Sequence, residues 1–161
     1  MKLLARLLSL IVVTSIAALL MNCDSGGGEG KSEEETQLDL LKGTWNLSSA
    51  SLDGTNRTDF VDVTMTITGT YSKAGTYSYS FTGTFPEPSP WPIKEPGTFK
   101  FDPDNITTKL IRGGDNIPMD YVVSSSSLSI TFTCASCNYP GGAAGGRVGE
   151  VNGEWVFSFT K

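Results

Sequence analysis

The chain has 161 residues, a net charge of −5 at neutral pH and no histidine. Without imidazole it lacks the usual general base near neutral pH and the commonest metal ligand, so histidine-dependent catalysis is excluded. No basic stripe runs along the sequence, so the electrostatic footprint of a phosphate-backbone binder is missing and we expect no nucleic-acid partner.

Residues 1–22 have the three parts of a secretory signal peptide. Lys2 and Arg6 give a positive start, and an apolar run extends from residue 7 to residue 20. A helix of this length spans about 21 Å, short of the roughly 30 Å hydrocarbon core, so it is too short for a stable transmembrane helix. We predict that this segment is removed on export.

The residues before Cys23 resemble a bacterial lipobox, in which the Cys receives a diacylglyceryl group and becomes the mature N-terminus. Leu20 fits the −3 position of the lipobox. Asn22 stands where Gly, Ala or Ser is usual, and this resembles the relaxed lipobox of spirochaetes and some other Gram-negative bacteria. The resemblance implies that Cys23 carries acyl chains such as palmitate and that the membrane is a partner. Two or more chains anchor stably where one binds marginally. The alternative is simple cleavage with Cys23 as a free or disulfide-bonded thiol.

A flexible acidic tether is expected over residues 23–37, because Gly-rich polar chains behave as flexible coils. Asp24 resembles an inner-membrane retention signal, whereas the acidic cluster at 33–35 resembles surface-export signals. These two resemblances imply different destinations, and a solvated spacer is the third interpretation. We expect the outer membrane in preference to the inner one, with the domain facing the periplasm or the surface.

From residue 38 to residue 161 apolar residues alternate with Ser and Thr, the period of half-buried strands. Short turn signals separate the segments, and short connections favour antiparallel neighbours. We predict one all-β domain of eight strands that closes into an up-and-down barrel, with a β-sandwich as the alternative and no further helix. The predicted segments are 44–51, 61–68, 77–82, 99–101, 106–111, 117–123, 128–133 and 155–160.

The residues Gly43-Thr44-Trp45 resemble the Gly-x-Trp signature that opens the first strand of lipocalins and of lipocalin-like domains in bacterial lipoproteins. The resemblance covers about residues 38–161 and implies a barrel whose closed end is plugged by Trp45. Members of that family often place an Arg from the last strand over this Trp. Here the last strand has no Arg, and Arg147 lies in a loop. The resemblance also implies a small apolar ligand or an envelope lipid.

Five aromatic residues are candidates for lining a ligand cavity. Alternation places several aromatics on one face of the third segment, and a Pro-rich connection over residues 86–96 leads from that segment to the next. Packing of the core is the alternative, because an eight-stranded barrel is just wide enough to be filled by its own side chains. The aromatic residue inside the Pro-rich connection is either a lid over the barrel mouth or a contact for a ligand or partner. The five candidates are Tyr77, Tyr79, Phe81, Phe99 and, near the mouth, Trp91.

Cys134 and Cys137 form a C-x-x-C motif in an exported chain. Zinc would need two more ligands, and neither His nor a further Cys can supply them once Cys23 is assigned to lipid. An oxidising compartment should join the two thiols. We predict a structural disulfide, with free thiols or a redox function as the alternatives.

Two functions follow from these patterns. One is a binding module for a small hydrophobic ligand; the other is a non-enzymatic envelope or surface protein that presents loops 86–96 and 134–150 to a protein partner. We predict that the protein is not an enzyme and has no cofactor, because no nucleophile–base pair can be identified in the sequence. We also expect no metal, because residues 102–105 lack the Gly and Glu of a calcium loop, and the Gly-rich stretch 141–147 precedes a strand instead of a helix.

The lipobox predicts acylation of Cys23. Metabolic labelling with a radioactive fatty acid should mark the wild-type protein and leave Cys23→Ala unlabelled. Label incorporated equally into both proteins would contradict the lipid anchor.

Overall fold

The computed structural model describes residues 30–93, 95–135, 137, 139 and 151–161. The predicted signal peptide, Cys23, the tether up to residue 29, Arg147 and residues 140–150 lie outside this part of the chain. Its elements are α1 (Glu33–Leu41), β1 (Gly43–Leu52), β2 (Thr55–Asn56), β3 (Val61–Thr68), β4 (Tyr77–Thr84), β5 (Gly97–Phe101), β6 (Lys109–Arg112), β7 (Pro118–Val123), β8 (Ser127–Cys134) and β9 (Gly153–Thr160).

The antiparallel sheet closes on itself. Strands β1 and β3 to β9 pair in chain order, and β9 pairs back onto β1 from Asn46 opposite Thr160 to Leu52 opposite Trp155. This closure confirms the predicted eight-stranded up-and-down barrel and excludes the sandwich. Strand β2 is an extra two-residue strand that pairs with the end of β1.

Alternation along each strand decides which side chains fill the barrel. In β3, Val63, Met65 and Ile67 are buried, while the threonines between them lie on the outer wall. The predicted segment 106–111 starts three residues later, as β6, because the preceding turn is longer than expected. Asp102 Oδ1 accepts the backbone N–H of Asp104 at 2.9 Å and thereby extends that turn.

The barrel has two different ends. At the helix end, α1 leads into β1, and the connections 69–76, 102–108 and 124–126 join the strands. At the loop end lie the connections 53–60, 85–96 and 113–117, and there β8 ends and β9 begins. The two ends therefore have separate sets of connections, and the chain enters the domain at the helix end.

Helix α1 makes the folded domain start earlier than the sequence predicted. Ser32 caps it by accepting the N–H of Glu35 at 3.1 Å, and three glutamates occupy the first turn, where the helix dipole favours negative charge. Leu38 and Leu41 are fully buried. The acidic residues expected in a flexible tether thus form a helix start, so the prediction of a tether over residues 23–37 is wrong for residues 33–37.

Trp45 is fully buried at the helix end, where the lipocalin resemblance places a plug. Its Nε1 donates to the carbonyl of Leu41 at 2.7 Å. A cation does cover the ring: Nζ of Lys161, the residue after β9, lies 4.1 Å from the ring centroid and donates to the carbonyls of Leu40 and Lys42. Lysine thus occupies the place where the resemblance implies arginine.

Trp45→Ala should destabilise the domain by about 3–5 kcal/mol, because it removes a large packed side chain together with its hydrogen bond. Urea unfolding monitored by circular dichroism measures this loss. Val122→Ala is the control, since Val122 is 73% exposed and should change stability little. Equal stability of the two variants would contradict the plug.

Candidate functional site

The five predicted ligand-binding aromatics are packed against one another and against their neighbours. Tyr77, Tyr79, Phe99 and Trp91 are almost completely buried, and Phe81 is half-buried against the core. They form two clusters instead of one lining. Tyr77 packs on Phe99 with ring centroids 5.6 Å apart, and Tyr79, Phe81 and Trp91 contact each other at 5.2–5.6 Å.

The first cluster lies at the helix end and ties α1 to the barrel. The hydroxyl of Tyr77 donates to Glu34 Oε1 at 2.9 Å and to the carbonyl of Ser72 at 3.1 Å. Burial, followed by the Glu34 carboxylate, raises the pKa of Tyr77 to about 12, so it is a neutral donor. Tyr121 likewise donates to Gln37 Oε1 at 3.1 Å. Tyr77 therefore has a structural partner.

The second cluster lies at the loop end, where Trp91 is a lid over the barrel. Its ring contacts Phe132 at 4.9 Å and Phe157 at 5.5 Å. Ser89 fixes the segment before it by pairing with Tyr139 through two backbone hydrogen bonds of 2.8 and 3.1 Å. Of the two interpretations of Trp91, the geometry favours the lid, because only 1% of the residue is exposed.

Arg112 lies at the centre of the loop end, and no role was predicted for it from the sequence. It is the last residue of β6 and is fully buried. Its Nε and Nη2 donate to the Asp115 carboxylate at 3.1 and 2.7 Å, and Nη1 donates to the carbonyl of Pro90 at 3.0 Å. The guanidinium carbon lies 4.8 Å from the Phe132 ring centroid and 5.2 Å from that of Trp91.

Asp115 makes the burial of Arg112 possible, because an unpaired buried charge is strongly destabilising. Burial raises the pKa of the Asp115 carboxyl, but hydrogen bonds from Arg112 and Tyr139 outweigh burial and lower it overall. The Tyr139 hydroxyl donates to Asp115 Oδ2 at 2.5 Å. One sequence signal could have predicted this ion pair: Asp115 follows Arg112 by three residues, with the turn Gly113-Gly114 between them.

Cys134 and Cys137 are joined by a disulfide and are both buried. The backbone N–H of Cys137 donates to Cys134 Sγ at 3.1 Å, and Arg112 Nη2 donates to Cys137 Sγ at 3.4 Å. The motif therefore belongs to the Arg112 cluster.

Two buried donors near this cluster have no partner in the part of the chain that the structure describes. These are the hydroxyl of Tyr79 and Nε1 of Trp91. Burial raises the pKa of Tyr79 well above its usual value, so the hydroxyl keeps its proton. The Tyr79 ring lies across Gly97, where a Cβ would come within 2.1 Å of it. These two groups are the buried donors of the described residues that an acceptor atom of a bound molecule would satisfy.

Two surface depressions flank the barrel ends. A groove of about 340 Å³ at the helix end is lined by Glu34, Lys73, Ala74, Lys100, Phe101, Pro103 and Ile106. A smaller depression at the loop end, the disulfide cleft, measures about 170 Å³ and is lined by Asp115, Ile117, Thr133, Ala135, Cys137 and Tyr139.

No family model, curated protein or solved structure matches the chain. Among the described residues, no group of three or more Cys, Asp or Glu side chains is arranged to hold a metal ion. No helix in that part of the chain is long and apolar enough to cross a membrane.

Asp115→Asn should destabilise the domain by about 3 kcal/mol at neutral pH, because it weakens the partner of a buried guanidinium. A carboxyl with a lowered folded pKa stabilises the fold above its unfolded pKa, and that contribution disappears as pH falls through the folded value. The stability gap between wild type and variant should therefore narrow below about pH 4.

Urea unfolding of both proteins from neutral to acidic pH measures this gap. The pKa of Asp39 is also lowered, to about 2, by hydrogen bonds from Lys31 and Lys42. Both proteins carry Asp39, so its contribution cancels in the difference. A gap that stays constant with pH would contradict the assignment to the Asp115 carboxylate.

Proposed function

We propose that the protein is a lipid-anchored lipoprotein of the bacterial envelope whose barrel is a non-enzymatic interaction module. The packing of the interior supports this proposal. The aromatic residues that were predicted to line a ligand cavity pack against one another instead. In a narrow barrel such side chains are large enough to fill the interior. Binding to a macromolecule would then use the outside of the barrel.

The position of α1 favours one orientation of the domain. Nine residues, 24–32, separate Cys23 from the helix, and they can span at most about 30 Å when fully extended. A chain anchored at Cys23 reaches the barrel at its helix end. The loop end lies at the opposite side of the barrel from this attachment, and we assign it as the surface offered to a partner.

The loop end is suited to binding because three of its described segments are fixed to one another. Arg112 joins the Pro-rich connection through Pro90, the β6–β7 turn through Asp115 and the C-x-x-C segment through Cys137. Loops that are already ordered lose less conformational entropy when a partner binds. A preorganised loop platform is therefore the surface that we assign to the partner.

A photo-crosslinking amino acid placed in the anchored protein in cells tests this assignment. Position Glu95 is exposed at the loop end, and Ser125 is its matched control, exposed at the helix end. We expect one discrete protein adduct from Glu95 and none from Ser125. Adducts from Ser125 alone would contradict the orientation, and adducts from neither position would contradict the interaction module.

A small-ligand carrier is the second candidate, favoured by one observation. The unpartnered donors of Tyr79 and Trp91 could hold an acceptor group of a lipid or another small hydrophobic molecule. Titrating delipidated protein with fatty acids and envelope lipids, followed by Trp fluorescence, tests it. Saturable binding that weakens in Tyr79→Phe would support the carrier. If no saturable change occurs, the interaction module is the one candidate of the two that stands.

A further inference from the structure

Both sulfurs of the disulfide have a hydrogen-bond donor aimed at them. Cys134 Sγ accepts the backbone N–H of Cys137 at 3.1 Å, and Cys137 Sγ accepts Nη2 of Arg112 at 3.4 Å. A thiolate is a far better acceptor than a disulfide sulfur, and a neighbouring cation favours the thiolate. These two donors therefore favour the reduced, ionised form of the pair, whereas the burial of both sulfurs opposes it.

One of the two cysteines borders a surface depression. Cys137 lines the disulfide cleft although only 3% of it is exposed, whereas Cys134 is not among the lining residues of the cleft. We therefore assign Cys137 Sγ as the sulfur that an incoming thiolate attacks, with Cys134 Sγ as the leaving group.

The crosslink itself contributes little to the fold. Its two cysteines are three positions apart, and disulfides that close short loops give the smallest chain-entropy stabilisation. A purely structural disulfide at this position would therefore add little to the stability of the fold. The contacts of Arg112, in contrast, connect the Cys137 sulfur to Pro90 and Asp115, so the state of the sulfur can influence the whole loop end.

We propose that Cys134–Cys137 is an exchangeable disulfide, reduced by a dithiol of the envelope, with Arg112 as the positioning residue that stabilises the reduced form. One thiolate of the dithiol attacks Cys137 Sγ, the S–S bond breaks, and its electron pair leaves on Cys134 Sγ. The second thiolate then attacks the mixed disulfide and releases Cys137 as thiolate. The dithiol becomes a disulfide, two electrons enter the protein, and solvent supplies any proton that the new thiols bind.

This activity goes beyond the proposed interaction module and does not depend on it. When Cys137 becomes a thiolate, the guanidinium of Arg112 faces two anions, because its Nη2 donates to Asp115 and to Cys137 Sγ at the same time. Asp115 is the opposing charge, and it limits how strongly the guanidinium can favour the thiolate. Arg112 and Asp115 should therefore act on the reduction equilibrium in opposite directions.

Equilibration of the exported, purified protein with mixtures of reduced and oxidised dithiothreitol tests the proposal. Free thiols are trapped with a maleimide and counted by mass spectrometry, once in native buffer and once in concentrated urea. We expect the folded protein to favour the dithiol at least tenfold more than the unfolded chain, about 30 mV for two electrons. A folded protein that is harder to reduce than the unfolded chain would overturn the proposal and leave a structural disulfide.

Variants separate the role of Arg112 from a loss of packing. Arg112→Met should shift the folded equilibrium about tenfold toward the disulfide, and Asp115→Asn should shift it toward the dithiol. Because Arg112 is buried, its variant can fail to fold, and Asp115→Asn alone then decides. Thr133→Ala is the control, since Thr133 lines the cleft and none of the hydrogen bonds described for the two sulfurs involves it, and this variant should leave the equilibrium unchanged. A shift toward the disulfide in Asp115→Asn would contradict the proposed opposition.

Discussion

The pairing of β9 with β1 is the constraint on which the rest of the structure depends. It turns a meander into a closed barrel of eight strands, which removes the free sheet edges and fixes a narrow interior. Inward positions of the strands carry large aromatic side chains, and Trp91 from the loop end joins Tyr79 and Phe81 of β4 to Phe132 of β8 and Phe157 of β9. Closure also sends the connections between strands to one of two ends.

The two ends are closed by different chemistry. At the helix end, Leu38, Leu41 and Trp45 form an apolar cap, and Lys161 joins the last strand to the backbone of the cap. At the loop end a fully buried guanidinium holds several connections through directional hydrogen bonds. A buried ion pair is weak evidence for stability, but it favours one arrangement of its neighbours. We therefore infer that the helix end mainly stabilises the fold, whereas the loop end mainly fixes one arrangement of its neighbouring segments.

Sequence periodicity predicted the strands because alternation reports burial residue by residue, and the closed barrel followed from short connections. Helix α1 was missed because Leu38 and Leu41 alone give too short an apolar pattern, and the glutamates before them resemble a solvated spacer. Arg112 was missed because the partner that makes its burial possible becomes visible only when β6 and its turn are folded. Whether aromatics line a cavity or fill it depends on side-chain volumes in three dimensions, which a one-dimensional pattern does not contain.

We propose that the barrel interior is filled by its own side chains and that the protein acts through its outer surface. Xenon binds empty apolar cavities in proteins, and NMR detects it through shifts of nearby methyl groups. Xenon pressure should therefore leave the methyl signals of the buried residues Met65, Ile67, Leu110 and Ile130 without saturable shifts. Saturable shifts of several of these signals together would show an open interior and favour a ligand carrier over an interaction module.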